Sequence, residues 1–109
     1  MFQRKPIRRR KPDDPDKAWS AEVCQEGVCR RCGRRGMMHA HHLIPRRYSR
    51  FRREPLNGIP LCFSCHVGAP DSAHRSPENF RKWVWQAEPR RMAELDTLCP
   101  EAYLRKGVE

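Results

Sequence analysis

Four cysteines in two C-x-x-C pairs, Cys29/Cys32 and Cys62/Cys65, and five histidines between His39 and His74 are the residues of this chain whose types and spacing can do chemistry. Thiolates two residues apart grip one side of a tetrahedral soft cation, and two such pairs complete its shell. The pairs stand 29 residues apart. That exceeds the roughly 15 to 20 residues of a simple zinc module, so a further element has to be looped out between them. Four thiolates leave zinc no open position, so this ion is expected to be structural, with on the order of 10 to 16 kcal/mol of binding coupled to folding. Cys24 and Cys99 lack ligand-like neighbours and read as ordinary cysteines, although Cys24 can compete with Cys29.

Inside the zinc pairs runs His39-Ala-His41-His42-Leu-Ile-Pro45, and His66 and His74 follow shortly after, so all five imidazoles fall within 36 residues. A lone histidine is usually structural, whereas a cluster offers divalent-metal ligands and a group whose ordinary pKa suits general-base work near neutrality. His39 stands two residues before His41, on the same side of any strand. It reads as a packing or supporting residue more readily than as a ligand.

The elements that must position these residues are short. Residues 1–17 mix Pro6, Pro12 and Pro15 with seven basic and three acidic side chains and read as a flexible basic arm. The single domain is expected over 18–109. A short helix over Ala18 to Gln25 would put Trp19 and Val23 on one face. Gly27 to Gly36 is a turn-rich knuckle, Met37 to Ile44 a first strand ended by Pro45, and Ile59 to Leu61 a second strand. The segment Leu61 to His66 should open a helix, kept short by Gly68 and Pro70. Ser76-Pro77-Glu78 marks a helix start running to about Ala87, and Glu88-Pro89 starts a last helix with Met92, Leu95 and Leu98 inward. The fold class is therefore α+β, a small zinc-stapled core over 28–75 with C-terminal helices over 76–105.

Charge narrows the partner. The chain has a formal net charge of +10. Between Cys29 and Arg53 lie nine arginines and no acid, whereas Ser76 to the end balances six basic against six acidic residues. Arginine's planar fork suits phosphate, and no basic helix with a wide apolar face appears, so nucleic acid fits better than a membrane. No apolar run approaches the roughly 20 residues of a bilayer span. The N-terminus lacks the apolar stretch of a secretory signal, which leaves a reducing cytoplasm as the expected compartment.

The ordered set C-R-R-C, H-A-H-H-L-I-P and L-N-G-I-P-L-C-F-S-C-H resembles the HNH or ββα-metal endonuclease signature carried on a zinc-bound treble clef, over Cys29 to His74. The resemblance implies His42 as general base, Asn57 as the residue that holds the base's loop, and His41 and His66 as ligands of one catalytic divalent ion, Mg2+ or another such as Mn2+. It implies DNA as partner, cleavage leaving a 5′-phosphate and a 3′-hydroxyl, and no small-molecule substrate. The short chain with a basic arm is similar to small phage or prophage members. Many members carry a further ligand four residues after the histidine of the last C-x-x-C-H, which is His66 here, and at that position this chain has Pro70. His74 can replace it across the Gly-Ala-Pro-Asp bend. The alternatives are that Asp71, water or phosphate completes the shell, or that His74 only caps local structure. A non-catalytic zinc-dependent DNA- or RNA-binding module is the competing function, with no need for His41, His42 and Asn57 together. A zinc-dependent assembly protein would leave the nine arginines without a purpose.

Arg46, Arg47, Arg50, Arg52 and Arg53 are the expected phosphate contacts. Replacing Arg46 and Arg47 together should weaken DNA binding and flatten the slope of log K against log salt by about 2, at about 0.9 per phosphate lost. Equilibrium binding across a fourfold salt series measures it, and an unchanged slope contradicts the assignment.

Overall fold

A computed structural model describes residues 14–108. The expected arm over 1–17 therefore lies mostly outside the described residues. Its last residues belong to helix α1 (Pro15–Val23), which starts three residues before the expected Ala18. The cause is local. The Asp14 side chain accepts the Asp16 N–H at 3.0 Å, Pro15 takes the first helical position, where no N–H is needed, and Asp16 puts a negative charge in the first turn.

Strands β1 (His39–His42) and β2 (Gly58–Leu61) form one antiparallel hairpin, with His39 opposite Leu61, Ala40 opposite Pro60, His41 opposite Ile59 and His42 opposite Gly58. β1 is shorter than the expected Met37 to Ile44 at both ends; at its C-terminal end the Ile44 N–H leaves the ladder for the side chain of Asn57. Between the strands the chain makes two single turns, Ser49–Phe51 and Pro55–Asn57. After β2 comes one wide helical turn, Ser64–Gly68, closed by Ala69 N–H donating to the Ser64 carbonyl at 2.9 Å. It is as short as Gly68 and Pro70 require.

Helices α2 (Pro77–Ala87) and α3 (Pro89–Leu98) follow. Ser76 occupies the position before α2, but its hydroxyl donates to the Pro70 carbonyl at 2.7 Å and caps nothing in the helix. Leu98 does not face inward as expected. It is 42% exposed, and Cys99 is fully buried in its place. Met92, Leu95 and Cys99 run i, i+3, i+7, a tighter fit to 3.6 residues per turn than a second step of three. These helices cover the hairpin with Phe80, Val84, Met92 and Leu95, which pack with Ile44, Ile59, Leu61 and Leu104 in one core. Past α3 the chain folds back, held where Trp85 Nε1 donates to the Leu104 carbonyl at 2.8 Å. No helix among the described residues is long and apolar enough to cross a membrane.

The molecule is a small mixed domain: helices, a two-stranded sheet and a cluster of four cysteines, in keeping with the α+β expectation. α1 packs closely where it crosses the hairpin. A Cβ built on Gly58 would overlap the Val23 side chain and lie 2.7 Å from the Trp19 ring. Glycine at this site therefore lets α1 sit directly on β2, opposite His42. Gly58→Ala is expected to cost about 1 to 3 kcal/mol by overpacking, read from urea unfolding of the metal-loaded protein. An unchanged midpoint would show that α1 can lift away freely.

Candidate active site

The first cysteine pair sits in a knuckle built by backbone bonds. Cys29 N–H donates to Arg34 O at 2.8 Å and Gly33 N–H to Cys29 O at 2.9 Å. Gly33 adopts φ +81, where a side chain would be strained. The knuckle is tied to the hairpin by Arg30 N–H donating to Pro60 O at 2.9 Å. The second pair opens the wide helical turn, with His66 N–H returning to Cys62 O at 2.9 Å. The sulfurs of Cys29, Cys32, Cys62 and Cys65 all lie within 4.8 Å of one another, while Cys24 and Cys99 stand outside the group. The Cys32 and Cys62 sulfurs are 3.7 Å apart. That matches the roughly 3.8 Å edge of a tetrahedron with zinc–sulfur bonds of about 2.3 Å. Burial opposes ionisation at Cys29, yet the backbone N–H groups of Cys32, Cys62 and Arg31 outweigh it and lower its thiol to about 6. Burial and the other thiols push Cys65 the opposite way. Such a donor set suits a bound metal such as zinc.

The second group stands on the other side of the same turn. β1 alternates, so His39 and His41 share one face and His42 takes the opposite one. His41 meets His66 and His74 edge to face, ring centroids 5.2 and 5.3 Å apart. The ligand atoms of His41, His66 and His74 all lie within 4.8 Å of one another, and Nε2 of His66 and of His74 are 3.1 Å apart. Two nitrogens bound to one ion at about 2.0 to 2.1 Å sit about 3.0 to 3.4 Å apart, so the spacing fits a shared cation. Burial, then the charges of His66, His74 and His42, holds His41 down to about 3. Burial and the neighbours His74 and His39 bring His66 to about 4. Neutral imidazoles with free lone pairs are the form that ligates metal.

His74 reaches this cluster through the bend after Gly68. Its N–H donates to His66 O at 3.0 Å and Ala73 N–H to Cys65 O at 2.9 Å, so the returning chain is zipped to the turn. Arg31 fastens the bend from the knuckle, donating to the Asp71 carbonyl at 2.7 Å. The Asp71 carboxylate faces Arg31 at 3.7 Å, outside the imidazole cluster.

His42 is held differently. Its ring stacks on Trp19, centroids 4.2 Å apart and planes 14° from parallel, and its Nε2 lies 2.9 Å from the Arg52 carbonyl. A carbonyl only accepts, so Nε2 carries the hydrogen and Nδ1 keeps a lone pair. Burial lowers the His42 pKa, the Arg52 carbonyl acting against it and the Arg46 and Arg52 charges with it. Asn57, fully buried, bonds to backbone on both sides: its Nδ2 donates to Phe51 O, one residue before Arg52, at 3.0 Å and to Ile44 O at 3.2 Å, while its Oδ1 accepts from Ile44 N–H. His41, His42, His66 and His74 line one cavity of about 560 Å³ with Arg46 at its edge.

The arginines separate into two sets. Arg30 pairs with Glu88, Arg31 with Asp71, and both Arg52 and Arg53 with Asp16 at 3.1 Å. Arg46, Arg47 and Arg50 are exposed and make no ion pair with a described residue. Sequence reasoning missed Trp19 as the ring beneath His42, although a glycine opposite a histidine in the hairpin is the signal of such a close approach. It also missed the Arg52 carbonyl and Asp16, which no spacing reveals.

A hairpin that gathers three imidazoles beside a four-thiolate cluster defines a small metal-binding domain. Residues 29–70, from Cys29 to Pro70, match the HNH endonuclease family model. No curated protein and no solved structure matches the chain. The domain suggests nuclease activity with metal binding, and nucleic acid as the substrate class. Trp19 and His74 fall outside the matched stretch.

The two clusters should be separable, because soft thiolates select zinc and an imidazole site does not. Cys62→Ser is expected to lose zinc and fold together, and His41→Ala to keep both, by elemental analysis and circular dichroism. Zinc content unaffected by every one of the four cysteine substitutions would refute the thiolate site.

Proposed function

We propose that this protein is a metal-dependent HNH endonuclease that hydrolyses DNA phosphodiester bonds, with His42 as general base and His41, His66 and His74 holding one divalent ion, Mg2+ or Mn2+. The observation that carries this reading is the pinned His42 ring: Nε2 is spent on the Arg52 carbonyl, Nδ1 keeps its lone pair, and the residue lines the same cavity as His41, His66 and His74. A pure binding module has no use for a tautomer locked in this way.

The roles of the side chains follow. Nδ1 of His42 takes the proton of an attacking water, while Nε2–H stays on the Arg52 carbonyl and steadies the imidazolium that forms. The water oxygen bonds to phosphorus, the bond from phosphorus to O3′ breaks, O3′ takes up a proton from solvent, and the cut DNA is left with a 5′-phosphate and a 3′-hydroxyl. The divalent ion, when bound, supplies Lewis-acid stabilisation of charge on the scissile phosphate and leaving oxygen. Asn57 acts by holding Phe51 and Ile44, and through them the carbonyl that fixes the base. Arg46, exposed at the cavity edge, is suited to a neighbouring phosphate, with Arg47 and Arg50 further along the same loop. The four-cysteine cluster takes zinc as a structural ion, which suits a reducing, cytoplasmic setting.

His42→Ala is expected to lower cleavage of supercoiled plasmid about 10²- to 10⁴-fold, with DNA affinity, zinc content and unfolding temperature near the parent. Part of the activity lost in His41→Ala should return at high divalent-ion concentration, whereas His42→Ala should not respond. If neither change affects cutting by rigorously purified protein, the zinc-dependent binding module replaces this reading.

A further inference from the structure

His39 has no part in the mechanism above, yet its ring is directed at one of the three imidazoles. Nδ1 of His39 lies 2.9 Å from Nδ1 of His66, and the two rings meet edge to face with centroids 5.0 Å apart. Resting on the reading of His66 as a metal ligand, we propose that His39 is a positioning residue. Its Nδ1 accepts the hydrogen of His66 Nδ1–H and so aims Nε2 of His66 at the divalent ion.

The tautomers follow from the two contacts of His66. Its Nε2 faces Nε2 of His74 at 3.1 Å, on the edge where the triad converges, so that nitrogen must keep its lone pair to ligate. A neutral imidazole then carries its one hydrogen on Nδ1. Two ring nitrogens 2.9 Å apart attract only if one donates and the other accepts, so His39 Nδ1 is the acceptor and His39 bears its own hydrogen on Nε2. Ligating histidines characteristically donate their second N–H to an acceptor that fixes ring and tautomer. Among the described residues no carboxylate bonds to His41, His66 or His74, which leaves His39 as the acceptor present for His66.

The fold holds His39 for this role. Its backbone is fixed in the ladder opposite Leu61, and its ring stands at 90° to Phe63, centroids 6.3 Å apart. Because His39 and His41 are two residues apart on one strand, a single face of β1 supplies both a ligand and the support of a second ligand. The pairing joins β1 directly to the helical turn carrying His66, so ligands from separate elements share one register.

Nickel titration, by calorimetry, of protein carrying one zinc per chain tests this, since imidazole binds nickel well and the thiolate site, which takes that zinc first, does not compete. His66→Ala should lose the site that the parent shows. His39→Phe keeps a ring but no acceptor and should weaken nickel about 10- to 100-fold. His39→Asn places an oxygen near the position of Nδ1 and should recover most of that loss. Zinc content and unfolding temperature should be unchanged in each, and His39→Leu makes the same comparison if the Phe variant fails to fold. Parent-like nickel affinity in His39→Phe, with His66→Ala still deficient, overturns the role of His39 alone. So does a His39→Asn variant as weak as His39→Phe. If the parent and His66→Ala bind nickel equally, the triad itself is wrong and the support of His66 falls with it.

Discussion

Four sulfurs gathered within 4.8 Å of one another cannot all ionise without a cation among them, and everything else in this domain is arranged around that constraint. One thiol, Cys29, is drawn down to about 6 by backbone N–H groups, while Cys65 is driven up by burial and its neighbours. A divalent ion bound there would remove the conflict and make the cluster a crosslink. The crosslink joins the knuckle, which leans on β2 through Arg30 and Pro60, to the turn that carries His66. A chain this short has little apolar surface to hold such pieces together by packing.

From the staple outward, each chemical group is fixed by something other than its own strand. His66 follows Cys65 directly, so the turn that aims one residue at the thiolate cluster aims the next at the imidazoles. His74 is zipped back by backbone bonds to Cys65 and His66. His42, on the opposite face of β1, is gripped between the Trp19 ring and a backbone carbonyl. In the proposed reaction this division has a use: one ligand, His41, and the base, His42, are adjacent residues of one strand, yet each is oriented by a separate set of contacts. A change beneath the base need not disturb the ligands.

Charge is distributed with similar economy. The run of nine arginines reads in the sequence as a free cationic field, but its acids are supplied by distant elements: Asp16 from α1, Asp71 from the bend and Glu88 from the start of α3. Those pairs lock α1, the knuckle and the helices onto the hairpin, and leave Arg46, Arg47 and Arg50 as the members of the expected phosphate-binding set that make no ion pair with a described residue. Arg91 adds a further tie from α3, donating to the carbonyls of Leu56 and Gly58 at 2.9 and 2.7 Å. The exposed arginines therefore sit on a loop whose two ends are both held.

The sequence by itself determined the chemistry on offer. Ligand types and short spacings are local, so the two cysteine pairs, the hairpin with its histidine doublet, and the two proline-started helices could be read directly. Helix ends set by competing bonds could not: Asp14 lengthened α1, Pro70 took the Ser76 hydroxyl, and Cys99 displaced Leu98 from the core. Nor could partners that meet only after folding. That His74 and not Asp71 closes the imidazole cluster, that Trp19 lies under His42, and that a carbonyl ten residues on selects its tautomer were decided by the tertiary structure. These contacts depend on how α1 and the bend pack against the hairpin, and sequence spacing carries no information about a distance closed by packing.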